Sequence, residues 1–75
     1  MVNNLNADIV NVRNMEAAGL WLYGYGWQSK LARALQVDAR TVRRYYAGDA
    51  PIPHIFMLAV ECLQHRKRAL EKQGD

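Results

Sequence analysis

The chain has 75 residues, of which 51% are hydrophobic and 23% are charged. That length fits a single domain, and the composition excludes wholesale disorder. A single cysteine excludes both an intrachain disulfide framework and a multi-cysteine zinc site. The net charge of +3 and the pI near 9.4 favour a polyanionic partner, so the position of the charge along the chain matters.

No apolar run approaches the ~18 residues of a membrane span. The first residues lack the basic end and the apolar stretch of a signal peptide. One unpaired cysteine suits a reducing compartment. We therefore expect a cytoplasmic protein that has no contact with a membrane.

Residues 1–13 are predicted to be a poorly defined N-terminal arm, and residues 14–72 the folded domain. The first 14 residues contain five asparagines, which favour caps and turns over helix interiors. The β-branched Val2, Ile9, Val10 and Val12 fit neither helical nor strand periodicity. The arm is predicted to be mobile or irregular, or to form one added helical turn.

Two helices are predicted in the next part of the chain. The first begins with Asn14 as its N-cap and ends at Gly24, a good left-handed residue after a helix. The second covers Gln28 to about Leu35. The inward positions at helical spacing are Met15, Ala18, Gly19 and Leu22 in the first helix and Leu31, Ala32 and Leu35 in the second.

Two further helices follow. Asp38 is a good N-cap for a third helix, which runs to Ala47 and stops at Gly48. Pro53 suits the first turn of a fourth helix. Its predicted inward residues are Ile55, Phe56, Ala59, Val60 and Leu63. The sequence thus predicts an all-α domain.

The third helix has two chemically different faces. At ~100° per residue, Arg40, Arg43, Arg44 and Ala47 share one arc, and the opposite arc contains Val42, Tyr45 and Tyr46. Residues 28–48 contain five basic residues and one acidic residue, a net +4, whereas the rest of the chain contributes −1 to the total of +3. The arginine face is typical of insertion into a major groove, and the alternative is a solvated charged face.

Residues 28–45 resemble the helix-turn-helix of phage repressor and Cro-type (XRE-like) regulators. The resemblance rests on Gln28, Ala32, Leu35, Val37, Val42 and Tyr45, and it extends over roughly residues 15–64. It implies a compact four- to five-helix domain of the lambda-repressor-like type with a central helix-turn-helix. One departure is Gln36, where the motif usually has glycine because the backbone there is often left-handed.

The resemblance also implies roles for single residues. Base reading in the major groove falls on Ala39, Arg40, Arg43 and Arg44. Phosphate contacts fall on Gln28, Ser29, Lys30 and Thr41. For Thr41 the alternative is a hydroxyl that bonds locally within the first turn of the third helix. The implied function is a sequence-specific transcriptional regulator, a repressor of its own or a neighbouring short operon, as in phages and prophages. The fourth helix, with Glu61-Cys62-Leu63, also resembles that of anti-CRISPR-associated autoregulators.

The expected partners are a double-stranded operator with an inverted repeat and a second copy of the chain. A dimer is expected because a domain of this size buries only ~60% of its unfolded surface. The predicted dimer interface is Trp21, Ile55, Met57 and Leu58, with help from the arm. The rival hypothesis is a protein-interaction module of the same fold, antitoxin-like or binding a nuclease or polymerase.

Catalysis, metals and cofactors are not expected. His54 and His65 are too far apart for a helical metal pair, and Cys62 beside Leu63 is predicted to be a packed thiol. No glycine-rich phosphate loop is present. The aromatic residues around Gly24 are predicted to anchor the first helix to the second, the alternative being a stacking platform for single-stranded nucleic acid. They are Trp21, Tyr23, Tyr25 and Trp27.

Overall fold

The computed structural model describes residues 2–73, with the side chains of residues 9–72. This part of the chain forms four helices and no strand, which confirms the all-α prediction. They are α1 (Val2–Tyr23), α2 (Trp27–Leu35), α3 (Ala39–Ala47) and α4 (His54–Gln73). The molecule measures 47 × 24 × 20 Å, and its length reflects α1 and α4, each of which extends ~30 Å at 1.5 Å per residue.

The N-terminal part of the chain is helical, so the prediction of an irregular arm was wrong. Helix α1 runs without interruption from Val2, and Asn14 lies in its middle rather than at its N-cap. The intrinsic cost of asparagine or a β-branched residue in a helix is only a few tenths of a kcal/mol. Such small costs do not end a helix. The prediction that α1 starts at Asn14 gave the asparagines too much weight. Met1 lies outside the described residues.

All four helices contribute to one core. Its most deeply buried side chains are Met15 from α1, Leu31 from α2, Val42 from α3 and Val60 from α4. Five further buried residues complete it: Ala18, Trp27, Ala32, Ile52 and Phe56. Because α1 contacts α2, α3 and α4, it is the element against which the other three are positioned.

Helices α1 and α2 approach each other closely at Gly19. A Cβ atom on this residue would overlap the indole ring of Trp27. The two helices then separate at a short connection in which Gly24 adopts φ 71° and donates its N–H to the carbonyl of Leu20 at 2.8 Å. The predicted end of the first helix is thus confirmed, and α2 begins at Trp27, one residue earlier than predicted.

Helix α4 follows an extended segment at Pro51-Ile52-Pro53. The carbonyl of Pro53 accepts hydrogen bonds from the N–H groups of Phe56 and Met57, at 3.0 and 3.3 Å. Phe56 and Val60 are buried as predicted, but Ile55 is 77% exposed, so its inward placement was wrong. Consecutive residues point ~100° apart on a helix, and the burial of Phe56 turns Ile55 outward.

None of the helices in the described part of the chain is both long enough and apolar enough to span a bilayer.

Candidate functional site

The basic face of α3 lies where the sequence predicts it, and its apolar face does so in part. Val42 is fully buried, and the half-buried ring of Tyr45 packs edge-on against Phe56 with centroids 5.1 Å apart. Tyr46, predicted on the apolar side, is 38% exposed. The exposure of Arg40, Arg43 and Arg44 is confirmed, and their base-reading role stays a prediction.

The start of α3 is fixed by Asp38. The backbone of this residue is extended, and its Oδ1 accepts the N–H of Arg40 at 2.8 Å. The Asp38 carbonyl accepts the N–H of Thr41 at 2.9 Å. A side-chain cap of this kind contributes ~1 kcal/mol to helix stability. It holds the first turn of α3, including Arg40, in a defined position.

Two predicted contact residues on α3 are less accessible than the arginines. Ala39 is half-buried and packs against the core. Thr41 is also half-buried. Each therefore presents only part of its surface to solvent, whereas the three arginines are exposed.

The connection between α2 and α3 is a tight turn through Gln36. Gln36 has φ 58° and ψ 42°, the left-handed conformation that its position in the sequence predicts. Its N–H donates to the carbonyl of Arg33 at 3.2 Å, and that of Val37 donates to the carbonyl of Ala32 at 2.9 Å. This pair of bonds is a Schellman motif, which closes the helix end. Because Val37 also packs against the core, the turn sets the direction in which α3 leaves α2.

The predicted phosphate-contacting residues of α2 lie together in its first turn. Ser29 and Lys30 are exposed, and Gln28 is half-buried. The N-cap of the helix is Gly26, a left-handed residue that supplies no capping side chain. The backbone N–H groups of a first helical turn and the Lys30 ammonium group favour an anion at this end of α2.

A contact that the sequence did not predict holds α3 against α1. The hydroxyl of Tyr46 donates to Oε2 of Glu16 at 2.7 Å. Its ring packs edge-on against Trp27, with centroids 5.5 Å apart. The hydrogen bond to Glu16 raises the pKa of Tyr46 above its ordinary value of 10.0, with smaller contributions from the charge of Glu16 and from desolvation. The two partners are 30 residues apart, and no local pattern signals such a pairing.

A second unpredicted contact joins the ends of α1 and α4. The ammonium group of Lys67 donates to the carbonyl of Trp21 at 2.6 Å and lies 4.5 Å from the centroid of the indole ring. The guanidinium of Arg68 lies 5.3 Å from the same ring. Lys67 satisfies a carbonyl at the C-terminus of α1, and both cations lie where positive charge is favourable. They also cover part of Trp21, which was predicted to lie in a dimer interface.

The predicted aromatic cluster is smaller than expected. Trp27 is buried and Tyr23 packs against the core, as anchors between α1 and α2. Tyr25 is 99% exposed and belongs to no cluster, because the flanking Gly24 and Gly26, both at positive φ, turn it away from the helices.

The cysteine and both histidines of the chain lie on α4. Cys62 is exposed, so the prediction of a packed thiol was wrong. It lies on the side of α4 opposite Val60 rather than beside the core. Both His54 and His65 are exposed. Among the residues that the structure describes, no three histidine, cysteine or carboxylate side chains come together as metal ligands.

Comparison with known proteins gives no match: no family model, curated protein or solved structure is similar to the chain.

Proposed function

We propose that this protein is a sequence-specific DNA-binding transcriptional regulator, in which α2 and α3 form a helix-turn-helix and α3 reads the major groove. The observation that carries the proposal is the division of α3. Val42 and Tyr45 hold the helix on the core, while Arg40, Arg43 and Arg44 are exposed together. An arginine can donate two hydrogen bonds to one guanine, and the major groove is wide enough for an α-helix.

The contacts at both ends of α3 support this function over that of a merely solvated surface. The helix is capped by Asp38 at its start and closed by Gly48 in a second Schellman motif at its end. The hydrogen bond from Tyr46 to Glu16 joins the C-terminal end of α3 to α1. Base reading needs side chains held in a fixed register, which a helix fixed at both ends supplies.

The charge distribution adds to the argument. The region of α2 and α3, residues 28–48, carries a net +4, and the rest of the chain carries −1. Exposed Ser29 and Lys30 in the first turn of α2 can bind the phosphate backbone. In a helix-turn-helix, the first helix contacts the phosphate backbone and the second helix contacts the bases.

The regulator is proposed to act as a dimer on an inverted repeat and to repress its own or a neighbouring short operon. One short helix reads only a few base pairs, too few to single out an operator among the competing sites of a genome. Two copies related by a two-fold axis double the readout, with half-sites ~34 Å apart.

The test is selection of binding sites from a pool of random-sequence duplexes by the full chain. We expect an inverted repeat to be enriched. On that duplex, Arg43→Ala and Arg44→Ala should each lose ~1–3 kcal/mol of binding free energy and discriminate less between matched and mismatched base pairs. Gln28→Ala should lower the affinity for matched and mismatched duplexes by the same factor.

Arg66→Ala is the matched control, since it removes the same exposed guanidinium from α4 and should leave affinity nearly unchanged. If no sequence is enriched and the arginine variants bind random duplex as wild type does, the proposal is wrong. The arginine face would then belong to the rival class, a module that binds another protein.

A further inference from the structure

The outward side of α4 carries a row of five exposed residues at alternating spacings of three and four. They are Ile55, Leu58, Cys62, His65 and Ala69, here called the α4 row. Ile55 is 77% and Leu58 is 48% exposed. The repeat of three and four is the spacing at which two helices pack along a common seam. The side of α4 that contacts the core is a different one, centred on Phe56 and Val60.

The sizes of these side chains make the α4 row complementary to itself in one orientation. The large aliphatic residues Ile55 and Leu58 lie at its N-terminal end, and the small Ala69 lies at its C-terminal end. In an antiparallel pair, Leu58 meets Ala69 of the second copy, and Cys62 meets His65, while Ile55 meets the aliphatic stem of Lys72 just beyond the row. In a parallel pair, Ala69 would face Ala69 and leave a gap, which protein interfaces avoid.

The charge along α4 favours the same orientation. Residues 65–72 carry four basic residues and one acidic residue, a net +3, whereas residues 54–64 carry Glu61 alone, a net −1. A parallel pair would bring the two basic ends together. An antiparallel pair places the acidic half of one helix beside the basic half of the other, as complementary interfaces require.

We propose that a second copy of this chain packs against the α4 row through its own α4 row, antiparallel, with the two-fold axis crossing between Cys62 and His65. This inference rests on the dimeric regulator proposed above and names its interface. It keeps Ile55 and Leu58 of the sequence-predicted interface. It leaves out Met57, which packs against the core of its own chain, and Trp21, which Lys67 and Arg68 partly cover.

The first test compares two identical substitutions on α4. Leu58→Glu places a charge in the α4 row, whereas Leu70→Glu places it at a residue that is 68% exposed and ~100° around the helix from Ala69. Sedimentation equilibrium without DNA should show dimers for wild type and Leu70→Glu. Leu58→Glu should be monomeric at the same concentration, with an unchanged circular dichroism spectrum and a lower thermal midpoint, because it loses the stabilisation that dimerisation supplies.

A wild-type protein that is monomeric at tens of micromolar would overturn the inference. So would a Leu58→Glu variant that dimerises as well as Leu70→Glu, because the interface would then lie on another surface.

The second test measures the orientation with spin labels on two variants that lack the native thiol. In Arg66→Cys/Cys62→Ser the labels lie near the proposed axis, and in Glu71→Cys/Cys62→Ser they lie near the helix ends. In an antiparallel pair, the axial separation of equivalent residues grows by ~3 Å per residue from the axis, to ~8 Å at residue 66 and ~22 Å at residue 71. Equal short distances at both positions would mean a parallel pair and would contradict the inference.

Both tests are made without DNA, so they separate the interface from the proposed function. A monomer that still selects a DNA sequence would overturn the inference and leave the function standing. A dimer with the expected label distances that selects no sequence would support the interface and overturn the function.

Discussion

At the scale of single residues, Tyr46 provides a prediction about pH. Tyr46→Phe removes the hydrogen bond to Glu16, and we expect the thermal midpoint to fall at neutral pH. The raised pKa of Tyr46 means that the folded protein holds this proton to a higher pH than the unfolded chain does. The stabilisation is therefore complete below pH 10 and is lost as the pH rises through the raised pKa.

The matched control for this experiment is Tyr25→Phe, which removes a hydroxyl from a residue that is 99% exposed. Thermal midpoints of the wild type and both variants, measured from neutral to strongly alkaline pH, test the prediction. The difference between wild type and Tyr46→Phe should shrink above pH 10, and Tyr25→Phe should follow wild type. A difference for Tyr46→Phe that is constant with pH would contradict the role of Glu16.

At the scale of helices and turns, the connection between α2 and α3 contains avoidable strain. Gln36 is the one non-glycine residue of the described chain with a positive φ. A non-glycine residue in that conformation destabilises the folded state by ~1–2 kcal/mol. Glycine removes this strain, but it also gives the unfolded chain more conformational freedom, which offsets part of the gain. We expect Gln36→Gly to raise the free energy of unfolding by roughly 1 kcal/mol.

Chemical denaturation of wild type, Gln36→Gly and Gln36→Ala measures this effect. Alanine keeps a Cβ atom and therefore keeps the strain, so Gln36→Ala should give no such gain. Destabilisation by Gln36→Gly would mean that the glutamine side chain makes a contact worth more than the strain.

The packing of α1 on α2 gives a second prediction at this scale. Glycine to alanine in the middle of a helix normally stabilises it by up to ~1 kcal/mol. At Gly19 the added methyl group would overlap the ring of Trp27, and overpacking of a core costs roughly 1–3 kcal/mol. We expect Gly19→Ala to lower the free energy of unfolding in chemical denaturation, and a gain in stability would contradict the close approach of the two helices.

At the scale of the whole molecule, the features that could be predicted from the sequence are those that depend on neighbouring residues. Asp38, Gly48 and Gly24 marked helix ends because caps and left-handed turns depend on a few neighbouring residues. The two faces of α3 followed from helical periodicity. The start of α1 could not be read in this way, because the asparagines there impose only small costs that a long helix tolerates.

The contacts that orient α3 and α4 could not be predicted from the sequence for a different reason. The Tyr46–Glu16 hydrogen bond and the Lys67–Trp21 contacts join residues 30 and 46 positions apart. Glu16 and Lys67 also look like ordinary surface residues in the sequence. Exposure of Ile55 and Cys62 depends on how α4 is rotated about its axis, and only its packing against α1 and Tyr45 fixes that rotation.

The most direct test of DNA reading by α3 is the affinity of the wild-type chain for the selected duplex and for a scrambled duplex of the same composition, each at several salt concentrations. DNA reading by α3 predicts linear plots of log affinity against log salt, with a slope of about −0.9 for each phosphate neutralised. It also predicts binding of the selected duplex that is at least ~10³-fold tighter. Equal affinity for the two duplexes, or affinity that does not change with salt, would contradict it.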